Sequence, residues 1–137
     1  MIARLLVVAS AAIVLALGCV HLVYTFFGSR LAPRDPSLQS AMAEVPLVLT
    51  RQTTMWKAWV GFNASHSMGA ILFGLVYGYL ALAHEELLFQ SWFLPAVGLA
   101  MLVGLLVLAR HYWFRAPFRG LCASLLCYVA GLALSRF

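Results

Sequence analysis

Leu5–Phe27, LLVVASAAIVLALGCVHLVYTFF, is the stretch whose reading decides the fold. It holds no Asp, Glu, Lys or Arg. At about 1.5 Å per residue a helix of this length reaches about 34 Å, enough to cross a hydrocarbon core of roughly 30 Å. A transmembrane helix over residues 5–27 is therefore expected. A competing reading takes Met1–Gly18, with Arg4 ahead of an apolar run, as a signal peptide, and Ala16-Leu17-Gly18-Cys19 as a lipoprotein-like cleavage site. The apolar run continues through Val20, Leu22, Val23, Phe26 and Phe27, which favours the uncleaved span.

Three more runs have the same character. The second covers residues 56–83 and closes at His84-Glu85-Glu86; the third covers 88–110; the fourth follows Pro117, a residue suited to a first helical turn, and covers 117–136. The last two connections are short, so neighbouring helices are expected to pack antiparallel. The one long connection, Gly28–Thr54, contains Asp35-Pro36, an N-cap followed by proline at the first helical position. Leu38, Met42 and Val45 recur at helical spacing before Pro46, predicting a short amphipathic helix over 36–45 on the membrane surface. The expected fold is all-α: a single transmembrane domain, 1–137, forming an antiparallel four-helix bundle with one interfacial helix.

Composition agrees. Of 137 residues 64% are apolar and 9% charged, against roughly 25% charged in soluble domains, and a soluble fold of this size could not cover so much apolar surface. The net charge of +5 does not indicate nucleic acid, because the basic residues fall between apolar runs and form no stripe. Arginine outnumbers lysine eight to one, a bias associated with GC-rich bacterial sources. The membrane expected is thus a bacterial inner membrane. Arg30, Arg34, Arg51, Lys57, Arg110, Arg115 and Arg119 lie on one side of the four spans and only Arg4 and Arg136 on the other, so both termini are expected outside. Cys19, Cys122 and Cys127 have no C-x-x-C or metal-ligand spacing and read as small packing residues.

Small residues recur every four positions: Gly61, Ser65 and Gly69; Ala70, Gly74 and Gly78; Ala96, Ala100 and Gly104; Cys127, Gly131 and Ser135. Helices in lipid gain nothing hydrophobic from meeting, so close backbone approach through small residues must hold them together.

The spans contain no Asp or Glu, which removes carboxylate-bridged metals and aspartyl chemistry from the core. Histidine and neutral polar residues remain. His21, Tyr24 and Thr25 share one helical face, and Asn63 and His66 share another beside Ser65. His21 and His66 should lie roughly 10 Å and 15 Å from the same membrane surface, where Arg110 and Tyr112 also fall. An ionisable side chain in a span points by default to the bundle interior and to a site. The candidate ligand-binding set is His21, Tyr24, Thr25, Asn63, Ser65, His66, Arg110 and Tyr112. The bland alternative is that the histidines are interhelical glue at about 0.6 kcal/mol per bond. Two histidines are too few for zinc, but two facing ones suffice for b-type haem. No cofactor is required by the residues.

Trp56, Trp59, His111, Tyr112, Trp113, Phe114, Arg115, Phe118 and Arg119 form an aromatic and basic belt, the pattern of an interfacial anchor. Arg110, Arg115 and Arg119 are the candidates to meet anionic lipid head groups. A partner membrane subunit or a second copy of the chain is also compatible with the small-residue faces.

The strings His21-Leu-Val-Tyr24-Thr25, Met55-Trp56 with Phe62-Asn63-x-Ser65-His66-x-x-Gly69, and Arg110-x-Tyr112-x-Phe114-x-x-Pro117 resemble a family of small, uncharacterised four-span bacterial membrane proteins. The resemblance implies the architecture and no mechanism. Two functions stand as expectations. The first is a binding or accessory bundle holding a lipid, quinone or cofactor through its polar cluster. The second is an intramembrane enzyme on a lipidic substrate, with His21 or His66 as general base; the lack of carboxylates weighs against it.

Overall fold

A computed structural model of the protein describes residues 1–135. Six helices follow in order: α1 Ile2–Phe26, α2 Pro36–Glu44, α3 Met55–Ala83, α4 Glu85–Gln90, α5 Phe93–Tyr112 and α6 Arg115–Leu134. Four of them, α1, α3, α5 and α6, are long and apolar enough to cross a membrane. No strand occurs among the described residues; an isolated bridge joins Pro46 and Thr54.

The third span differs from expectation. Residues 88–110 do not form one helix: Glu85–Gln90 is a separate turn-and-a-half, and the span begins at Phe93. Ser91 is extended, and its hydroxyl accepts from the Leu94 N–H at 3.2 Å, satisfying a donor at the head of α5. The fourth span starts two residues early, at Arg115, and its expected last residue, Arg136, lies outside the described residues. The short helix expected at 36–45 ends at Glu44, with Val45 as C-cap. Its start is as read: Asp35 is the N-cap, its carboxylate accepting from the Ser37 N–H at 2.9 Å and the Ser37 hydroxyl at 2.8 Å.

The chain divides into two compact units. The larger comprises Met1–Leu17 with Ala70–Phe137. Its core holds Val7, Ala11 and Val14 of α1, Phe73, Tyr77 and Ala81 of α3, Leu88 of α4, Leu102 of α5, and Leu121 and Tyr128 of α6. Glycine makes the closest approaches. A Cβ on Gly74 would lie 2.6 Å from the Leu15 Cβ and 2.8 Å from the Ala11 carbonyl oxygen. One on Gly131 would lie 2.9 Å from the Ala3 oxygen, and one on Gly98 would overlap the Tyr128 and Tyr77 rings.

The serines and tyrosines buried in this unit are paired, as an apolar interior demands. The Ser124 hydroxyl donates to the Ser10 carbonyl at 3.1 Å, so the 2.8 Å contact between the two hydroxyls uses the proton of Ser10. The Tyr77 hydroxyl donates to the Leu94 carbonyl at 2.7 Å, and the Tyr128 hydroxyl to the Pro95 carbonyl at 3.2 Å. Both tyrosines thus fasten onto the first turn of α5.

Two of the expected small-residue faces are not packing faces. Gly104 has nothing within 4 Å of where a Cβ would stand, and Ala96 and Ala100 are exposed; α5 instead buries Pro95, Gly98, Leu102, Leu105 and Ala109. Gly61 is likewise open and Ser65 exposed. The reason is geometric. A four-residue period drifts around a helix of 3.6 residues per turn, and large side chains on the neighbours decide which small residue sits under them. Gly98 is buried because two tyrosine rings lie over it.

The smaller unit is Gly18–Gly69: the end of α1, the long connection with α2, and the start of α3. Gly28, at φ +83°, turns the chain out of α1, a conformation glycine adopts at no steric cost. No residue of α2 is buried. Met55 N–H donates to the Val45 carbonyl at 2.9 Å, closing the 46–54 loop, whose tip leaves Val48 and Leu49 fully exposed.

Candidate functional site

The histidines come together. His21 on α1 and His66 on α3 meet edge to face, with ring centroids 5.3 Å apart and planes at 80°. The residue that holds His21 is Ser67, where the expected neighbour was Ser65. His21 Nδ1 lies 2.9 Å from the Ser67 hydroxyl, which in turn donates to the Asn63 carbonyl at 2.9 Å. A hydroxyl has one proton. With that proton on the Asn63 carbonyl, Ser67 accepts from His21, which places the ring proton on Nδ1 and makes Nε2 the lone-pair nitrogen of the neutral imidazole.

Ser67 is completely buried. With its proton committed to the Asn63 carbonyl, Ser67 is not placed as a nucleophile; its contact with His21 links α1 to α3.

Other members of the set line a recess next to this link. Tyr24, Thr25, Trp56, Trp59 and Asn63 surround it, with the Gly28–Ala32 segment across one side. About 20 Å³ is open to the centre of a water molecule, room for one ordered water. Thr25 donates back to the His21 carbonyl at 2.8 Å, and the Asn63 amide donates to the Trp59 carbonyl at 2.8 Å. Each retains acceptor capacity on its side-chain oxygen. The Trp59 indole donates to the Leu31 carbonyl at 3.0 Å, tying the connection down. Arg30 donates to the Tyr24 hydroxyl, and its guanidinium carbon lies 4.4 Å from that ring's centroid.

Five expected residues are absent from the recess lining: His21 and His66, which meet each other, and Ser65, Arg110 and Tyr112. Ser65 is exposed and donates to the Phe62 carbonyl of its own helix at 3.0 Å. Arg110 and Tyr112, both exposed, end α5 in the larger unit. Arg115 and Arg119 are exposed at the start of α6. Arg30, Trp56, Trp59 and Ser67 were absent from the expected set. Ser67 had a readable signal: Ser67, Ala70, Gly74, Tyr77 and Ala81 form one i, i+3, i+7, i+10, i+14 face, and all five are buried.

The haem reading of His21 and His66 does not fit this geometry. Two metal–imidazole bonds of about 2 Å each, plus the two ring radii, exceed the observed 5.3 Å, and edge-to-face rings leave no layer for a porphyrin. Among the described residues, no three of His, Cys, Asp and Glu gather as metal ligands would. Cys19, Cys122 and Cys127 are free thiols. The chain matches no protein-family model, no curated protein and no solved structure.

Proposed function

We propose that this protein is a binding or accessory bundle of the membrane, holding the polar head of a lipid-like molecule, such as a quinone or an anionic lipid, in the recess of its smaller unit. One observation carries the reading: the His21–Ser67–Asn63 relay pins an imidazole with a defined acceptor nitrogen beside a polar recess. Interhelical glue needs only the relay. The recess adds Tyr24, Thr25 and Asn63, capped by two tryptophans, which is the mixture of apolar wall and few polar groups that ligand pockets use. The recess has room for no more than a water molecule, so in this reading a head group enters by lifting the Gly28–Ala32 segment off Trp59.

The four spans are placed as an antiparallel bundle in a bacterial inner membrane, with both termini outside. What supports this is the excess of basic residues in the two loops read as cytoplasmic, and the pairing of residues with falling numbers on α3 and α6 against rising numbers on α1. In this reading α2 lies at the interface, where Leu38, Val45, Val48 and Leu49 find apolar surroundings that water denies them. Arg110, Arg115 and Arg119 meet anionic head groups, and the open small-residue face of α5 is available to a partner subunit or second copy. A fluorescent reporter on the C-terminus tests orientation; cytoplasmic signal overturns it.

Native mass spectrometry of gently extracted protein tests the function. The expected result is a co-purifying amphiphile that is lost in His21→Ala while the melting temperature stays within a few degrees of the parent. A parent chain that carries no such molecule, or a variant whose sole change is lower stability, would reduce the relay to glue.

A further inference from the structure

The larger unit carries a second concavity, independent of the recess. It is an open groove of about 360 Å³, lined by Arg4 of α1, Glu85, Glu86, Phe89 and Gln90 of α4, and Leu134 of α6, where these elements begin or end. Its volume falls in the range of small-molecule sites. Arg4 Nε stands 3.9 Å from Glu85 Oε2, close enough for ionic attraction and too far for a hydrogen bond. That nitrogen is buried, and among the described residues it has no hydrogen-bond partner. The Nε–H thus lacks an acceptor, while the side chain as a whole is 37% exposed and open to one entering from the groove.

From this groove we propose a seat for the head group of a phospholipid that carries a phosphate and a primary ammonium, the phosphoethanolamine type. The phosphate supplies the acceptor Arg4 lacks, and guanidinium is the group that binds phosphate through paired donors. Among the described residues the lining carries the Arg4 guanidinium and the carboxylates of Glu85 and Glu86, so it presents both signs of charge, and a purely anionic head group would leave the carboxylates without a partner. A zwitterion answers both signs. Its ammonium has three donors to share between Glu85 and Glu86. A quaternary ammonium has none and prefers a cage of aromatic faces, of which the groove offers Phe89 alone among the described residues. Phe89 and Leu134 form the apolar part against which the glycerol end lies. The groove sits at the ends of the spans, the depth at which phospholipid heads lie.

The test is competition. The protein is reconstituted in nanodiscs of equimolar phosphoethanolamine, phosphocholine and phosphoglycerol lipids with identical chains, then moved to mild detergent, and the retained lipids are counted by native mass spectrometry. The expected result is about tenfold enrichment of the phosphoethanolamine lipid, equivalent to about 1.4 kcal/mol. Glu86→Gln, at an exposed position, should abolish the enrichment over phosphocholine without moving the melting temperature. Arg4→Gln should lower retention of all three lipids, and Arg4→Lys should restore part of it. Equal retention of the three, preference for phosphoglycerol, or enrichment that survives Glu86→Gln overturns the proposal. Soluble glycerophosphoethanolamine is the last arm: protection of lipid-free protein as strong as that given by the lipid would assign the groove to a soluble ligand instead.

Discussion

The two units of this chain treat their polar groups in different ways. In the larger one, every described polar contact at the core closes on itself: Ser10 with Ser124, Tyr77 and Tyr128 with the carbonyls of α5, glycine against backbone. Nothing is left over for a ligand within that core. In the smaller one, the relay from His21 through Ser67 ends on a carbonyl, and Thr25, Tyr24 and Asn63 keep acceptor capacity at the edge of a recess. The same residue types therefore do two jobs. Complete pairing goes with close approach of the helices, and incomplete pairing beside a small void leaves acceptor capacity unspent.

The contrast is broken most directly at glycine. Gly98→Leu places a side chain where the Tyr77 and Tyr128 rings already lie, and overpacking of this kind costs about 1–3 kcal/mol or more. Thermal unfolding in detergent should show a large fall in midpoint for Gly98→Leu and none for Gly104→Leu, whose Cβ meets open space. Equal effects would mean that α5 presents a different face. Next in size is Ser124→Ala, which strips the Ser10 carbonyl and hydroxyl of their partner; bonds of this kind average about 0.6 kcal/mol and reach about 1.7.

In the smaller unit stability should matter less than occupancy. His21→Ala and Ser67→Ala are each expected to cost no more than Ser124→Ala in unfolding measurements. Because both break one relay, the double variant should lose little beyond either single one, a non-additivity that a double-mutant cycle reads. Additive losses would separate the two side chains. Trp59→Phe keeps the ring and removes the bond to the Leu31 carbonyl, so protection of the Gly28–Ala32 amides from hydrogen exchange should fall while the melting temperature holds.

The smallest effect is expected at α2, which buries nothing. The Ser37 hydroxyl and N–H bonded to the Asp35 carboxylate hold its pKa below the ordinary value. A carboxylate depressed in the folded state stabilises above its unfolded pKa of about 3.9, and that contribution is lost as pH falls through the folded value. Amide shifts at Ser37 and Leu38, followed by NMR, should titrate in that acid window and stay flat in Asp35→Ala. No change down to strongly acid pH would remove the cap.

Much of this was legible before any coordinates. The four apolar runs, the Asp35-Pro36 helix start and the choice of His21 and His66 as candidates follow from length, capping chemistry and helical periodicity. Those are local properties, set by 1.5 Å per residue, by which side chain can reach an orphan N–H, and by the cost of a polar group in lipid. Tertiary structure decided the rest. Ser67 rather than Ser65 braces His21, Gly98 rather than Gly104 lies under the tyrosines, and residues 88–92 leave the span, because each outcome depends on the rotation of one helix against another. A rotation of a third of a turn exchanges neighbouring small residues while leaving hydrophobicity and length unchanged. Composition is blind to that angle, and only the shapes of the large side chains across the contact select it.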